Sequence, residues 1–125
     1  MAHVFDSSAL ILFPNDALPE PGVVLLHEQL QLGQAFISSI VRAEVLAWSG
    51  HTVASLIAAG ALLDLCQLVV VGKSVADEAA RIRRETGLKL PDALIAATAL
   101  LQSATLVTAN GKDFRRVAAL AVHEI

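Results

Sequence analysis

The sequence predicts one α/β domain of three layers, α/β/α, with a central parallel sheet of four to five short strands. Three observations predict it. Short apolar runs rich in β-branched residues alternate with segments of helical period along the whole chain. The strand runs are continuously apolar rather than alternating, as expected where both faces of a sheet are covered. Hydrophobic residues make up 55% of the 125 residues and charged ones only 17%, an apolar excess that a doubly covered sheet would absorb. At this length one core is expected, and no repeat, linker or low-complexity tract divides the chain.

His3-Val4-Phe5 is the first strand, ending at Asp6, with Ser7-Ser8 as capping residues for a helix through Ala9 to Phe13. Pro14, Asn15, Asp16, Pro19, Pro21 and Gly22 mark a loop. Apolar residues recur at helical spacing from Val23 to Leu32, Gly33 stops that helix, and Ala35-Phe36-Ile37 forms a second strand. Ser38-Ser39 cap a helix to about Trp48, and Thr52 to Leu65 is another. Leu68 to Val71 reads as a buried strand, Ser74 to Thr86 as a helix ended by Gly87, and Pro91 opens a helix to about Gln102. Thr105 to Thr108 is a strand, Asn110-Gly111 a turn, Asp113 to Leu120 a short helix, and Ala121 to Ile125 an edge strand.

Several function classes receive little support. Two apolar windows, Val53 to Val71 and Ala93 to Ala109, approach the length of a membrane span, but Asp64 and Gln67 interrupt the first, and the second reads as helix followed by strand. No basic segment followed by an apolar stretch opens the chain, so a cytoplasmic location is expected. His3, His27, His51 and His123 are scattered, without the close spacing of a zinc site, and the single Cys66 has no partner for a disulfide. Net charge of -3 and a pI near 5.7 argue against binding nucleic acid by bulk electrostatics. Val69-Val70-Val71-Gly72-Lys73-Ser74 imitates the end of a phosphate-binding loop, but the first glycine of that motif would fall at Gln67.

The chemistry rests on four acids. Asp6 follows a strand, where ligands bind in open α/β sheets, though an acid there also stabilises the next helix N-terminus. Glu44 falls between Ile40, Val41 and Trp48 on the apolar arc of its helix, opposite Arg42. It is therefore paired inside, aimed into a site, or at a partly exposed edge. Asp92 is the only charge between Lys89 and Lys112 and opens a helix that is apolar nearly all round. Proline before aspartate is also an ordinary helix start. Asp113 follows a strand end that carries Asn110, and serves equally as a helix cap.

Asp6-Ser7-Ser8-Ala9-Leu10, Glu44 after Ser38-Ser39, Pro91-Asp92-Ala93-Leu94-Ile95-Ala96-Ala97-Thr98-Ala99, and Thr108-Ala109-Asn110-Gly111-Lys112-Asp113-Phe114 together resemble the PIN domain, in its VapC toxin branch. The resemblance spans nearly the whole chain in motif order, and the segment around Pro91-Asp92 is its most specific part. It implies a PIN-like fold, an acidic pocket that binds Mg2+ or Mn2+, and endoribonuclease activity. It also implies a homodimer and a cognate VapB-type antitoxin whose tail covers the pocket. By position, Asp6, Glu44 and Asp92 match the three best-kept acids of the family. The fourth metal-binding and catalytic acid is expected to be Asp113, with Asn110 as its helper, because members with asparagine at that place keep the acid at the later one.

Such a set suits phosphodiester hydrolysis, in which oxygen-loving divalent ions activate water and stabilise charge on phosphate and leaving group. Arg81, Arg83 and Arg84, with Lys89, precede the Asp92 helix, and Arg115 and Arg116 follow Asp113. These are candidate phosphate contacts, or else solubilising surface charges. The alternative function is a PIN-like module without catalysis that binds protein or RNA.

Overall fold

A computed structural model describes all 125 residues. Strand β1 is His3–Phe5, and α1, Ser7–Leu12, follows at once. A single 3-10 turn, Phe13–Asn15, leads through a loop into α2, Glu20–Gln31, which starts three residues earlier than its apolar period suggests because Pro21 fits the first helical turn. Then come β2, Ala35–Ser38, α3, Ser39–Ala47, and α4, Val53–Leu65. Ser38 caps α3 by accepting the Ile40 amide, while Thr52 and Ser55 cap α4 reciprocally. The second half contains β3, Gln67–Val69, α5, Lys73–Thr86, α6, Leu90–Leu101, β4, Thr105–Thr108, α7, Gly111–Phe114, and β5, Val122–Glu124.

All five strands are parallel, in the order β3-β2-β1-β4-β5. The chain builds outward from β1 to β3, then returns to add β4 on the other side of β1. Strand order therefore reverses between β1 and β4, and the carboxyl ends of these two strands form the crevice where α/β sheets bind ligands. Register sharpens the point: Phe5 stands opposite Val107, so Asp6 and Thr108 emerge side by side.

The core joins Val4 and Phe5 of β1, Ile37 of β2 and Leu106 and Val107 of β4 to the buried face of α6, which carries Ala93, Ile95, Ala96, Ala97 and Ala99. Alanines let α6 lie close on the sheet, and it touches β1, β2 and β4. On its outer side α5 packs Val75, Ala79 and Ile82 against it. The turn between α5 and α6 needs Gly87, whose φ of +75° is costly for any residue with a Cβ.

Three expectations change. Ser7 and Ser8 are not the helix caps, because Asp6 itself accepts the Ser7 amide. The strand expected to be buried at Leu68 to Val71 is Gln67–Val69 at the sheet edge, with Leu68 half exposed. A run of valines looks the same in a central and an edge strand. The last helix is one turn, Gly111–Phe114, and its cap position is Asn110, so Asp113 lies within the helix instead of capping it. The two apolar windows each divide into a helix and a strand, and no single helix is long and apolar enough to cross a membrane.

Replacing Ile95 by alanine tests this packing, since the side chain is fully buried where α6 crosses the sheet. Loss of about 2–5 kcal/mol is expected in urea unfolding. A loss below about 1 kcal/mol would contradict the placement of α6.

Candidate functional site

Asp6 is the best-held side chain of the site. Only 6% exposed, its carboxylate accepts the Ser7 amide at 2.7 Å and the Ser7 hydroxyl at 3.3 Å on Oδ1. On Oδ2 it accepts the hydroxyls of Thr108 at 2.7 Å and Ser8 at 3.2 Å. Ser8 in turn accepts the Ala109 amide at 3.1 Å, and Thr108 the Asn110 amide at 3.0 Å. Two strand ends and the start of α1 thus share one network around a buried charge. Asp6 both caps α1 and faces the crevice, so the two sequence readings of this residue hold together.

Glu44 reaches the same place from the second turn of α3. Its Oε1 is buried and has no hydrogen-bond partner, and no basic side chain forms an ion pair with it. Arg42, on the other side of α3, is bonded to Asp64 at 2.9 Å. Of the readings left open by sequence, pairing in the interior is therefore removed. Asp92 arrives from the first turn of α6 and is half-buried. Asp113 arrives from α7, where the Asn110 side-chain amide donates to its Oδ2 at 2.8 Å.

The acids influence one another in pairs. Burial raises the Glu44 carboxyl above its ordinary value, Asp6 and Asp92 raise it further, and the Ser7 hydroxyl works the other way. Burial likewise raises Asp92, reinforced by Asp6 and Asp113 and opposed by Lys89. Asp6 at the end of β1 thus bears on Glu44 of α3 and Asp92 of α6, and Asp113 of α7 bears on Asp92. No three acidic, histidine or cysteine side chains stand close enough to hold one ion as they are. Asp6 is engaged with four donors, and Asp113 accepts the Asn110 side-chain amide.

The donor set still fits a hard divalent cation. It consists of carboxylate oxygens, and the buried, unpartnered Oε1 of Glu44 is a group that a positive charge would satisfy.

The arginines form no free rim. Arg81 pairs with Glu78 and Glu85 on its own helix, and Arg115 pairs with Glu124 at 2.7 Å. Arg83 donates to the Leu88 carbonyl at 2.6 Å and Arg116 to the Thr86 carbonyl at 3.0 Å. Only Arg84 of the five lacks such a partner. Thr108 and Ser8 hold Asp6 in place, a role that the sequence analysis did not give them. Their signal was faint: a hydroxyl at a strand end and another in the first turn of the neighbouring helix.

Residues 3–120 match the PIN domain family. No curated protein sequence matches the chain. Among solved structures, a chain of a toxin-antitoxin complex from Klebsiella pneumoniae is 27% identical with a TM-score of 0.73, covering 99% of this chain and 100% of that one. VapBC2 from Rickettsia felis, bound to a promoter DNA fragment, is 22% identical with a TM-score of 0.79 and coverage of 100% and 99%. DNA-bound VapBC from Salmonella typhimurium is 18% identical with a TM-score of 0.84 and coverage of 99% and 98%.

Two measurements follow from this geometry. Thr108→Val leaves the Asn110 amide and one Asp6 oxygen short of a partner, and about 1–3 kcal/mol of stability should be lost; an unchanged unfolding midpoint would contradict the network. Asp92→Asn should behave oppositely. A carboxyl with a raised folded-state pKa binds protons more readily folded than unfolded, so its contribution to stability falls as pH rises through that range. In chelator at pH 7 the variant should melt at or above the wild-type temperature, and the difference should shrink as pH falls towards the ordinary aspartate range, about 3.9. A lower Tm at pH 7 would be incompatible with a repelled, half-buried charge.

Proposed function

Because the chain belongs to the PIN domain family, we propose that it is a metal-dependent endoribonuclease, acting in the cytoplasm as the toxin of a VapBC-type toxin–antitoxin pair. The observation that supports this reading is the buried carboxylate of Asp6, held by Thr108 where β1 and β4 end side by side, with its charge bearing on Glu44 and Asp92 and that of Asp113 bearing on Asp92. A cluster of that kind destabilises an empty fold and favours one filled by cations.

In this reading Asp6, Glu44, Asp92 and Asp113 hold Mg2+ or Mn2+. Bound there, such ions supply an activated water and charge stabilisation on the scissile phosphate and leaving oxygen. The chain's own residues prepare the place. Thr108 and Ser8 fix the orientation of Asp6 through its Oδ2. Asn110 orients Asp113. Glu44 contributes an oxygen kept away from solvent, where charge interactions are stronger than in water. The acids serve as ligands and the hydroxyls and amide as positioning groups.

Protein partners are part of the proposal. The similar solved structures include toxin–antitoxin complexes, which supports a cognate antitoxin, and the outer face of α4 supports assembly because Val53 and Ile57 are more than two-thirds exposed. A homodimer is the other expected assembly.

The decisive experiment is cleavage of labelled RNA by the purified protein with Mn2+ or Mg2+. Cleavage should vanish in chelator, and Asp92→Asn should lower it by more than the ~10–100-fold typical of losing an outer partner of a metal ligand. Retained metal-dependent cleavage by Asp92→Asn would remove the site assignment; a wild-type protein inert with either metal would favour the binding-module alternative. Millimolar Mn2+ should also raise the wild-type Tm.

A further inference from the structure

Metal ions held by the acids would offset charge inside the crevice, and a basic side chain beside it would add a second point of contact for a polyanion. Four of the five candidate arginines, Arg81, Arg83, Arg115 and Arg116, hold intramolecular partners. Lys89 is different. It occupies the cap position of α6, three residues before Asp92, yet makes no side-chain capping bond. It is exposed and forms no ion pair. A cation at the positive end of a helix is unfavourable for that helix, though the charge of Lys89 partly offsets that of Asp92.

The base of Lys89 is also rigid. Arg83 holds the Leu88 carbonyl, Arg116 holds the Thr86 carbonyl, and the Leu88 amide donates to the Thr86 hydroxyl at 3.1 Å. Leu88 is buried beneath the turn. The exposed side chain extends from this turn, three residues before Asp92, and its charge bears on that carboxylate.

We propose that Lys89 seats a backbone phosphate of the RNA chain at the mouth of the acidic crevice, held by a turn that Arg83 and Arg116 clamp. This inference rests on the nuclease reading above. It makes Lys89 a substrate-binding residue and gives the neighbouring arginines a supporting role. A phosphate contact of this type positions the chain without reading its sequence.

The test is steady-state cleavage of a fluorescently labelled RNA by the full chain with Mn2+, over a range of salt. Lys89→Ala should raise KM about fivefold with kcat within roughly twofold, and reduce the slope of log kcat/KM against log salt by roughly 0.7, the value for one phosphate contact on a single strand. Lys89→Arg should restore both. Unchanged KM and slope in Lys89→Ala would overturn the proposal and leave the nuclease reading intact, as would a loss carried by kcat alone. A wild-type protein that cuts no RNA would overturn the nuclease reading and Lys89 with it.

Discussion

The hydroxyl of Thr108 donates to the carboxylate of Asp6 across the boundary between β1 and β4, and the rest of the site depends on this buried contact. Strand order reverses there, so the two strand ends carry no common connection and nothing in the local sequence brings them together. Parallel register sets the two residues side by side, and a hydrogen bond to a charge, stronger than one between neutral groups, fixes how the carboxylate points. Ser8 and the backbone amides of Ala109 and Asn110 extend the bond into a closed network. With Asp6 fixed, the other acids have a stationary charge to meet.

That meeting is unfavourable in itself. Glu44 and Asp92 both lose hydration and both feel like charge, and Glu44 has a buried oxygen with no donor. The scaffold tolerates this because stabilising contacts lie close by. Helix α6 brings alanines and Ile95 tightly against three strands only a turn beyond Asp92, and α3 buries Val41 and Val45 on either side of Glu44. Strain at a cleft is thus set against close packing beneath it, the arrangement in which perturbed carboxyls mark a functional place.

The basic residues divide by partner rather than by position along the chain. Arg83 and Arg116 act on backbone carbonyls at the α5–α6 turn, where a helix C-terminus and a loop would otherwise leave acceptors unsatisfied. Arg81 and Arg115 pair with nearby glutamates. The lysine near the crevice remains unpaired, in keeping with a compact, flexible charge for contacting a mobile anion. The outer face of α4 has no partner in the monomer, and its exposed valine and isoleucine account for part of the apolar excess in the composition.

Most elements of the fold were legible in the sequence, because period, caps and turn residues act over a few positions. Gly33 and Gly87 ended the helices they were expected to end, Ser38 capped α3, and the order of strands and helices specified a parallel sheet. The acids were visible as charges in apolar surroundings, Glu44 most clearly through its helical phase. What the sequence could not supply was anything set by distant partners. Whether Leu68 lies inside or at the edge of the sheet depends on how many strands follow outside it. Which arginines are free depends on carbonyls and carboxylates elsewhere in the chain, and Thr108 gained its role only when β4 came to lie beside β1. Local sequence determines local geometry, whereas burial and pairing between remote segments belong to the tertiary structure, because only folding decides which surfaces lose water together.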